Sequence, residues 1–199
     1  MSKPHTIVSD HKIKRAFDLV LCIFALAVCI LPMVIIGLLV CCTSPGPALY
    51  RQERLGLHGK PFLILKFRTM IPDAEAGGIQ QTQVNDPRIT TLGRTLRRYH
   101  LDELPQLVNI LRGEMSFVGP RPERAYFYEQ YDKADLNYTL RLDVLPGLTG
   151  WAQVHGGYDL PPAEKLQYDL AYIQNRSLWM DLRCIALTLQ MLITGEGSR

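Results

Sequence analysis

Several common functional signatures are missing from this 199-residue chain. Its five histidines are scattered, and none sits in a His-Glu-x-x-His arrangement, which argues against a histidine-bound zinc. No Gly-x-Gly-x-x-Gly follows a strand, so an extended Rossmann sheet is not expected. No phosphate-binding loop occurs either. Gly56-Leu57-His58-Gly59-Lys60 has the wrong spacing, Pro61 follows it, and the segment reads as a hairpin turn. The net charge is only +3, too little for the concentrated basic face that nucleic acid requires. The five cysteines are odd in number and lack paired metal spacing. They read as small apolar residues in a reducing or lipid setting, not as a disulfide framework. No internal repeat and no low-complexity tract is present.

The chain does have a long apolar run. No charged residue occurs from Leu19 to Cys42. As a straight helix these positions would extend about 36 Å, enough to cross a bilayer. The run is too long for a signal-peptide core. Pro32 near its centre removes a backbone donor and kinks a helix. Basic residues flank both ends: Lys12, Lys14 and Arg15 before, Arg51, Arg54 and Lys60 after. The positive-inside bias therefore selects no orientation. A broken helix that returns to the same face satisfies both flanks, and a proline-containing span is the competing reading.

The length suits one domain plus this membrane element, with residues 1–43 as anchor and 44–199 as a soluble body. Ala48 to Arg54 and Phe62 to Arg68 read as a β-hairpin. Residues 71–88 read as a polar loop or lid that includes Gly77-Gly78. Thr91 to Tyr99 reads as a short basic helix. A second helix is expected from Leu101 or Asp102, with Pro105 in its first turn, where a missing N–H costs nothing. Glu123 to Tyr131 and Pro162 to Asn175 also look helical, and residues 145–158 look irregular or extended. Leu178 to Thr194 is mostly apolar with thin polar lines; a core helix and an interfacial helix both fit it.

The chemistry-bearing residues concentrate around Asp102-Glu103. A carboxylate pair at a helix start can simply cap the helix, and an arginine-rich surface can simply be solvated. Here Arg88, Arg94, Arg97, Arg98, Arg112, Arg121 and Arg124 flank two adjacent carboxylates, which favours an anion-binding site.

Five segments occur in order behind the apolar run: Lys66-Phe67-Arg68-Thr69-Met70, Asp86-Pro87-Arg88-Ile89, the stretch from Leu101 to Leu107, the stretch from Gly113 to Pro122, and the stretch from Pro146 to Val154. With these segments the chain resembles the bacterial sugar transferases, the monotopic phosphoglycosyl transferases, in their small core-only form without a long N-terminal extension. The resemblance covers about Lys14 to about Thr194. It implies a mixed α+β (α/β) fold with a re-entrant membrane helix bent at Leu31-Pro32, where other members carry Ser-Pro. It implies transfer of a sugar-1-phosphate from a UDP-sugar to a polyprenyl phosphate, usually undecaprenyl phosphate, with release of UMP. That would be the first membrane step of a bacterial glycan pathway, on the cytoplasmic face of the inner membrane. Asp102 matches the family nucleophile and the site of Mg²⁺, and Glu103 its acid/base partner. Arg121, between two prolines, suits a rigid phosphate contact. Lys66, Arg68, Arg88 and Arg97 are candidates for the same task, and Asp169 matches a further acidic family position. Membrane lipid is an expected partner, nucleic acid is not, and a second copy of the chain is a candidate one. A membrane phosphohydrolase using the same aspartate, and a non-enzymatic membrane adaptor, are the alternatives.

Overall fold

The computed structural model describes residues 5–75, 78, 83, 86–156 and 160–194, with the side chains of residues 11–192 and 194 where the backbone is described. Helix α1 (His5–Thr43) is followed by strands β1 (Leu49–Leu55) and β2 (Pro61–Phe67). Then come helices α2 (Thr91–Arg98) and α3 (Gln106–Arg112), strand β3 (Ser116–Val118) and helix α4 (Ala125–Lys133). Strand β4 (Gly147–Thr149) precedes helices α5 (Trp151–His155), α6 (Pro162–Asn175) and α7 (Leu178–Thr194). The fold is mixed α+β with two small sheets, an antiparallel β1–β2 hairpin and a parallel β3–β4 pair, and it has no Rossmann-type sheet.

Helix α1 runs through Pro32 as one element, so the expected break at Leu31-Pro32 does not interrupt it. Proline deletes one backbone hydrogen bond, and the helical dihedrals continue on both sides of it. A seam of one face packs on the body. Leu21, Cys22, Ala25, Leu26 and Cys29 join the core of Leu107, Ile110, Met115 and Phe117. Met33, Ile36 and Val40 join Phe67 and Leu96 further along. The other faces carry exposed Val20, Ile23, Phe24, Val28, Ile30, Leu31, Val34, Ile35, Leu38 and Leu39. Leaving ten such side chains in water would forgo roughly 15–30 kcal/mol of transfer free energy. Only 11% of the apolar window is buried, so this is not a core helix and its exposed faces call for lipid.

Both ends of α1 are fastened to the same body. Near the start, Arg15 donates to the carbonyls of Ile110 (2.6 Å) and Leu111 (2.8 Å), groups left over at the end of α3. Lys14 bridges Asp18 (2.8 Å) and Asp181 of α7 (2.9 Å), and the Phe117 N–H donates to Asp18 (3.2 Å). At the far end, Arg68, just after β2, donates to the carbonyls of Ser44 (2.8 Å), Gly46 (3.1 Å) and Pro45.

Helix α7 settles its two sequence readings by using both faces. Asp181 and Cys184 are buried, and Thr188 pairs with Thr149 of β4 at 2.6 Å. Trp179 is 77% exposed, and Leu182 and Leu189 are exposed beside it. The hairpin, α2, α6 and α7 form where the sequence places them. Residues 145–156 form a strand and the short helix α5, while Tyr158 lies outside the described residues. The polar segment 71–88 is closed at its base by a bridge between Met70 and Ile89, and Gly77 lies outside the described residues. The parallel pair depends on close backbone approach. A Cβ on Gly147 would lie 2.1 Å from the Gly119 nitrogen, and one on Gly119 would lie 2.4 Å from the Leu145 carbonyl oxygen.

Candidate active site

The acidic pair sits differently from expectation. Asp102 and Glu103 lie in a 3₁₀ turn over Leu101–Glu103, and α3 starts only at Gln106 with Pro105 as its N-cap. His100, left-handed at φ 53°, turns the chain out of α2 and opens this turn. Proline has no N–H to return to the preceding turn, so the segment is built from i to i−3 bonds. Glu103 N–H reaches His100 at 3.1 Å and Leu107 N–H reaches Leu104 at 3.1 Å. The carboxylates therefore do not occupy the first turn of an α-helix, where the helix dipole would favour their ionised form.

Charge complementarity replaces it. Glu103 is buried and held on two sides. Lys66 of β2 donates to Oε1 at 2.8 Å. Arg121 forks onto both oxygens, with Nη1 to Oε2 at 3.2 Å and Nη2 on Oε1. Burial works against its charge, but Arg121 and Lys66 outweigh it and hold the carboxyl well below the ordinary glutamate range. Glu103, expected as the acid/base partner, here also fixes Lys66 and Arg121 in place.

Asp102 is the opposite case. It is buried, and among the described residues its carboxylate accepts no hydrogen bond. Burial pushes its carboxyl above the ordinary aspartate range and ionised Glu103 adds to this, while Lys66, Arg97 and Arg121 pull it back. Arg97 is oriented by Thr69, to which its Nε donates at 2.8 Å. His100 completes the surroundings; burial pushes its imidazole below the ordinary value.

The structure thus gathers Asp102, Glu103, Lys66, Arg97 and Arg121. It gives the other candidates protein partners elsewhere. Arg68 caps the end of α1. Arg88 folds back on Asp86, with Nε to Oδ1 at 2.9 Å and Nη2 to Oδ2 at 2.6 Å, and also donates to the Ala74 carbonyl. Asp169 is buried against Arg141, whose Nε donates to it at 2.7 Å. Burial pushes the Asp169 carboxyl up and Arg141 opposes this; the short charge-assisted bond marks an ion pair. In the structure these three, expected as substrate contacts, are engaged with protein groups other than the acidic pair.

Arg141 was not singled out in the sequence, where nothing distinguishes it from a surface arginine. It is fully buried, lies 4.4 Å from the Tyr138 ring centroid, and approaches Glu123 at 3.5 Å. Its Nη2 also donates to the main-chain carbonyl of Arg121 at 3.0 Å. The Arg141–Asp169 pair is a pedestal that holds the Pro120-Arg121-Pro122 backbone in place while the Arg121 side chain faces Glu103.

A divalent cation finds limited protein support here. Among the described residues no three acidic, histidine or cysteine side chains converge. Glu103 is occupied by cations, which leaves Asp102 as the one uncommitted carboxylate of the cluster. That suits Mg²⁺, which usually binds one or two carboxylates together with substrate phosphates.

The exposed apolar helix suits association with a membrane and the cationic cluster suits an anion, and comparison with known proteins gives the family. Residues 9–195 match the bacterial sugar transferase family, and the chain belongs to it. It is 43% identical over 89% of its length to the UDP-glucose:undecaprenyl-phosphate glucose-1-phosphate transferase of Escherichia coli (strain K12). It is 38% identical over 94% of its length to the UDP-N-acetylgalactosamine-undecaprenyl-phosphate N-acetylgalactosaminephosphotransferase of Aeromonas hydrophila. It is 40% identical over 93% of its length to a UDP-glucose:undecaprenyl-phosphate glucose-1-phosphate transferase of Caulobacter vibrioides. The chain spans 39%, 45% and 71% of these three relatives respectively.

Proposed function

We propose that this chain transfers a sugar-1-phosphate from a UDP-sugar to undecaprenyl phosphate and releases UMP, with Asp102 as the nucleophile. The observation that carries the reading is the contrast within the acidic pair: Glu103 is committed to two cations, while Asp102 stands beside it without a hydrogen-bond partner among the described residues. The names of the relatives supply the donor and acceptor classes.

In the first step an Asp102 oxygen bonds to the sugar-linked phosphorus of the donor. The bridging P–O bond breaks, and its electron pair leaves with UMP. In the second step an oxygen of the lipid phosphate bonds to the same phosphorus. The Asp102–phosphorus bond breaks, the carboxylate is restored and a lipid diphosphosugar forms. A phosphate monoester has a second pKa near 6, so much of the acceptor is already dianionic near neutral pH and needs no protein base. That agrees with an ionised Glu103. Lys66 and Arg121, each partly exposed, lie where they can also contact the donor phosphates. Mg²⁺, the expected cofactor, would be held by Asp102 together with the pyrophosphate and would neutralise charge there. The covalent route lets a soluble donor and a lipid acceptor use one site in turn.

The test mixes detergent-purified, lipid-depleted enzyme with labelled UDP-sugar and no acceptor. A stoichiometric burst of UMP and label on Asp102 are expected. Asp102→Asn should lose turnover by on the order of 10⁴-fold or more. UMP release only with undecaprenyl phosphate, and no trapped adduct, would favour direct transfer instead. Steady sugar-phosphate release without acceptor would favour the phosphohydrolase.

The same reading places both ends of α1 on the cytoplasmic face of the inner membrane. Its support is the double fastening: Arg15 and Arg68 tie opposite ends of the helix to one body. Single cysteines at Lys12 and Tyr50, in a background without native cysteines, should resist impermeant label added to intact cells. Labelling of either position from outside would mean a span.

A further inference from the structure

Gln106 is the buried side chain that the proposed reaction has so far left unused. It is 1% exposed, and both its amide nitrogen and its amide oxygen are buried without a hydrogen-bond partner. Among the described residues it is the one side chain with every polar atom in that condition. Buried amides are normally satisfied, so an orphaned one calls for an explanation. Asn109, three residues later on the same face of α3, shows what satisfaction looks like here. Its oxygen accepts from Leu65 N–H at 3.1 Å, and its nitrogen donates to Leu63 O at 2.8 Å and Glu114 Oε2 at 2.7 Å. The same helix face thus has one amide bonded at every atom and one bonded at none.

Gln106 lies four residues after Asp102, along a segment that is helical from the 3₁₀ turn into α3. Leu104 and Pro105 keep right-handed helical dihedrals, and helical side chains lean toward the N-terminus, so Gln106 leans back over the turn that carries Asp102 and Glu103. The two nearest turns therefore hold a buried carboxylate without a hydrogen bond and a buried amide without one. We propose that Gln106 is a positioning residue for Asp102, its Nε2–H donating to the non-attacking carboxylate oxygen while the other oxygen bonds to phosphorus. Before the reaction Asp102 must stay available to the donor, and the amide waits unpaired. As the acyl phosphate forms, the carboxyl oxygen turned away from phosphorus becomes a fixed acceptor. The inference rests on Asp102 being the nucleophile.

Gln106→Met keeps the length of the side chain and removes both polar atoms. Adduct formation in a single turnover, the donor KM and thermal melting are measured on full-length enzyme in detergent. The expected result is a fall of about 10- to 100-fold in the rate of UMP release and protein labelling. The donor KM should be unchanged, and the melting temperature equal or higher, because an unsatisfied buried amide has been removed. Wild-type labelling at Asp102 together with an undiminished rate in Gln106→Met would overturn the proposal. So would a melting temperature lowered by several degrees, or failure of the variant to fold, since either makes the amide a structural group. Absence of an adduct in the wild type would instead remove the Asp102 reading, and the role of Gln106 with it.

Discussion

Two charged clusters meet at Arg121 and differ in one respect. On the side-chain face, Glu103 takes Arg121 and Lys66, and Asp102 is left over. On the carbonyl face, Arg141 takes Asp169, Glu123 and the Arg121 carbonyl, while Tyr138 and Lys165 complete Glu123 at 3.0 and 3.3 Å. Both clusters are buried, and both are made of arginine, lysine, aspartate and glutamate. One closes on itself and acts as a support. The other keeps a carboxylate in reserve, and that surplus is the mark of the site. Residue type and burial do not separate the two; the balance of partners does.

The sharpest way to break the comparison is to remove one member of each cluster. Arg141→Met strands Asp169 and Glu123 as buried anions and should destabilise the protein by about 3–5 kcal/mol. Arg141→Met combined with Asp169→Leu should recover much of that loss, because a buried pair replaced by apolar groups is often neutral. Asp102→Asn should abolish turnover and leave stability unchanged or raised, because it removes a buried charge that no hydrogen bond supports. Chemical denaturation of the four proteins gives the result. A destabilised Asp102→Asn beside an unaffected Arg141→Met would reverse the two roles.

The partner balance also explains what the sequence could show. The β-hairpin, α2, α6 and α7 were legible because alternation, capping residues and apolar periodicity are local. Thr90, for example, caps α2 by accepting from Gly93 N–H at 2.9 Å. Asp102, Lys66 and Arg121 were legible as a site because they fall in motif segments of one family. Arg68, Arg88 and Asp169 fall in the same family segments or positions and were grouped with them. What separates them is which group they meet: Lys66 and Arg121 meet Glu103, whereas Arg68 meets Ser44, Arg88 meets Asp86 and Asp169 meets Arg141. Two of these partners are 24 and 28 residues away in the chain, a distance at which sequence spacing says nothing about contact. The turn at Asp102 was misplaced for a local reason, since His100 adopts a left-handed conformation, which histidine visits more often than most residues but which its presence alone does not fix.

Acid sharpens the comparison at smaller amplitude. Glu103 and Glu123 both have carboxyls held below the ordinary range. In each, burial is overcome by cations: Arg121 and Lys66 for Glu103, Arg141 and Lys165 for Glu123. Folded-state values below the unfolded one mean stability that is complete above the ordinary glutamate range. It is lost as pH falls through the depressed values. Melting temperature should therefore drop on acidification, and Glu103→Gln and Glu123→Gln should each flatten that drop. An acid slope unchanged in both variants would show that neither carboxylate is held by its cations.

The smallest effect is expected at Arg68, which belongs to neither cluster and meets carbonyls alone. It donates to Ser44, Pro45 and Gly46 in the turn that follows α1 and to the Val40 carbonyl in the last turn of the helix, where acceptors are left over. Arg68→Met should cost about 1 kcal/mol of stability, since the hydrogen bonds are partly exposed and water can replace some of them. Donor KM and the rate of the UMP burst should stay at the wild-type level. Proteolysis in native membranes should cut faster after Thr43, where the strap between anchor and hairpin has lost its cap. A raised donor KM in Arg68→Met, with unchanged proteolysis, would return this arginine to the phosphate-binding set and place the edge of the site at the end of the membrane helix.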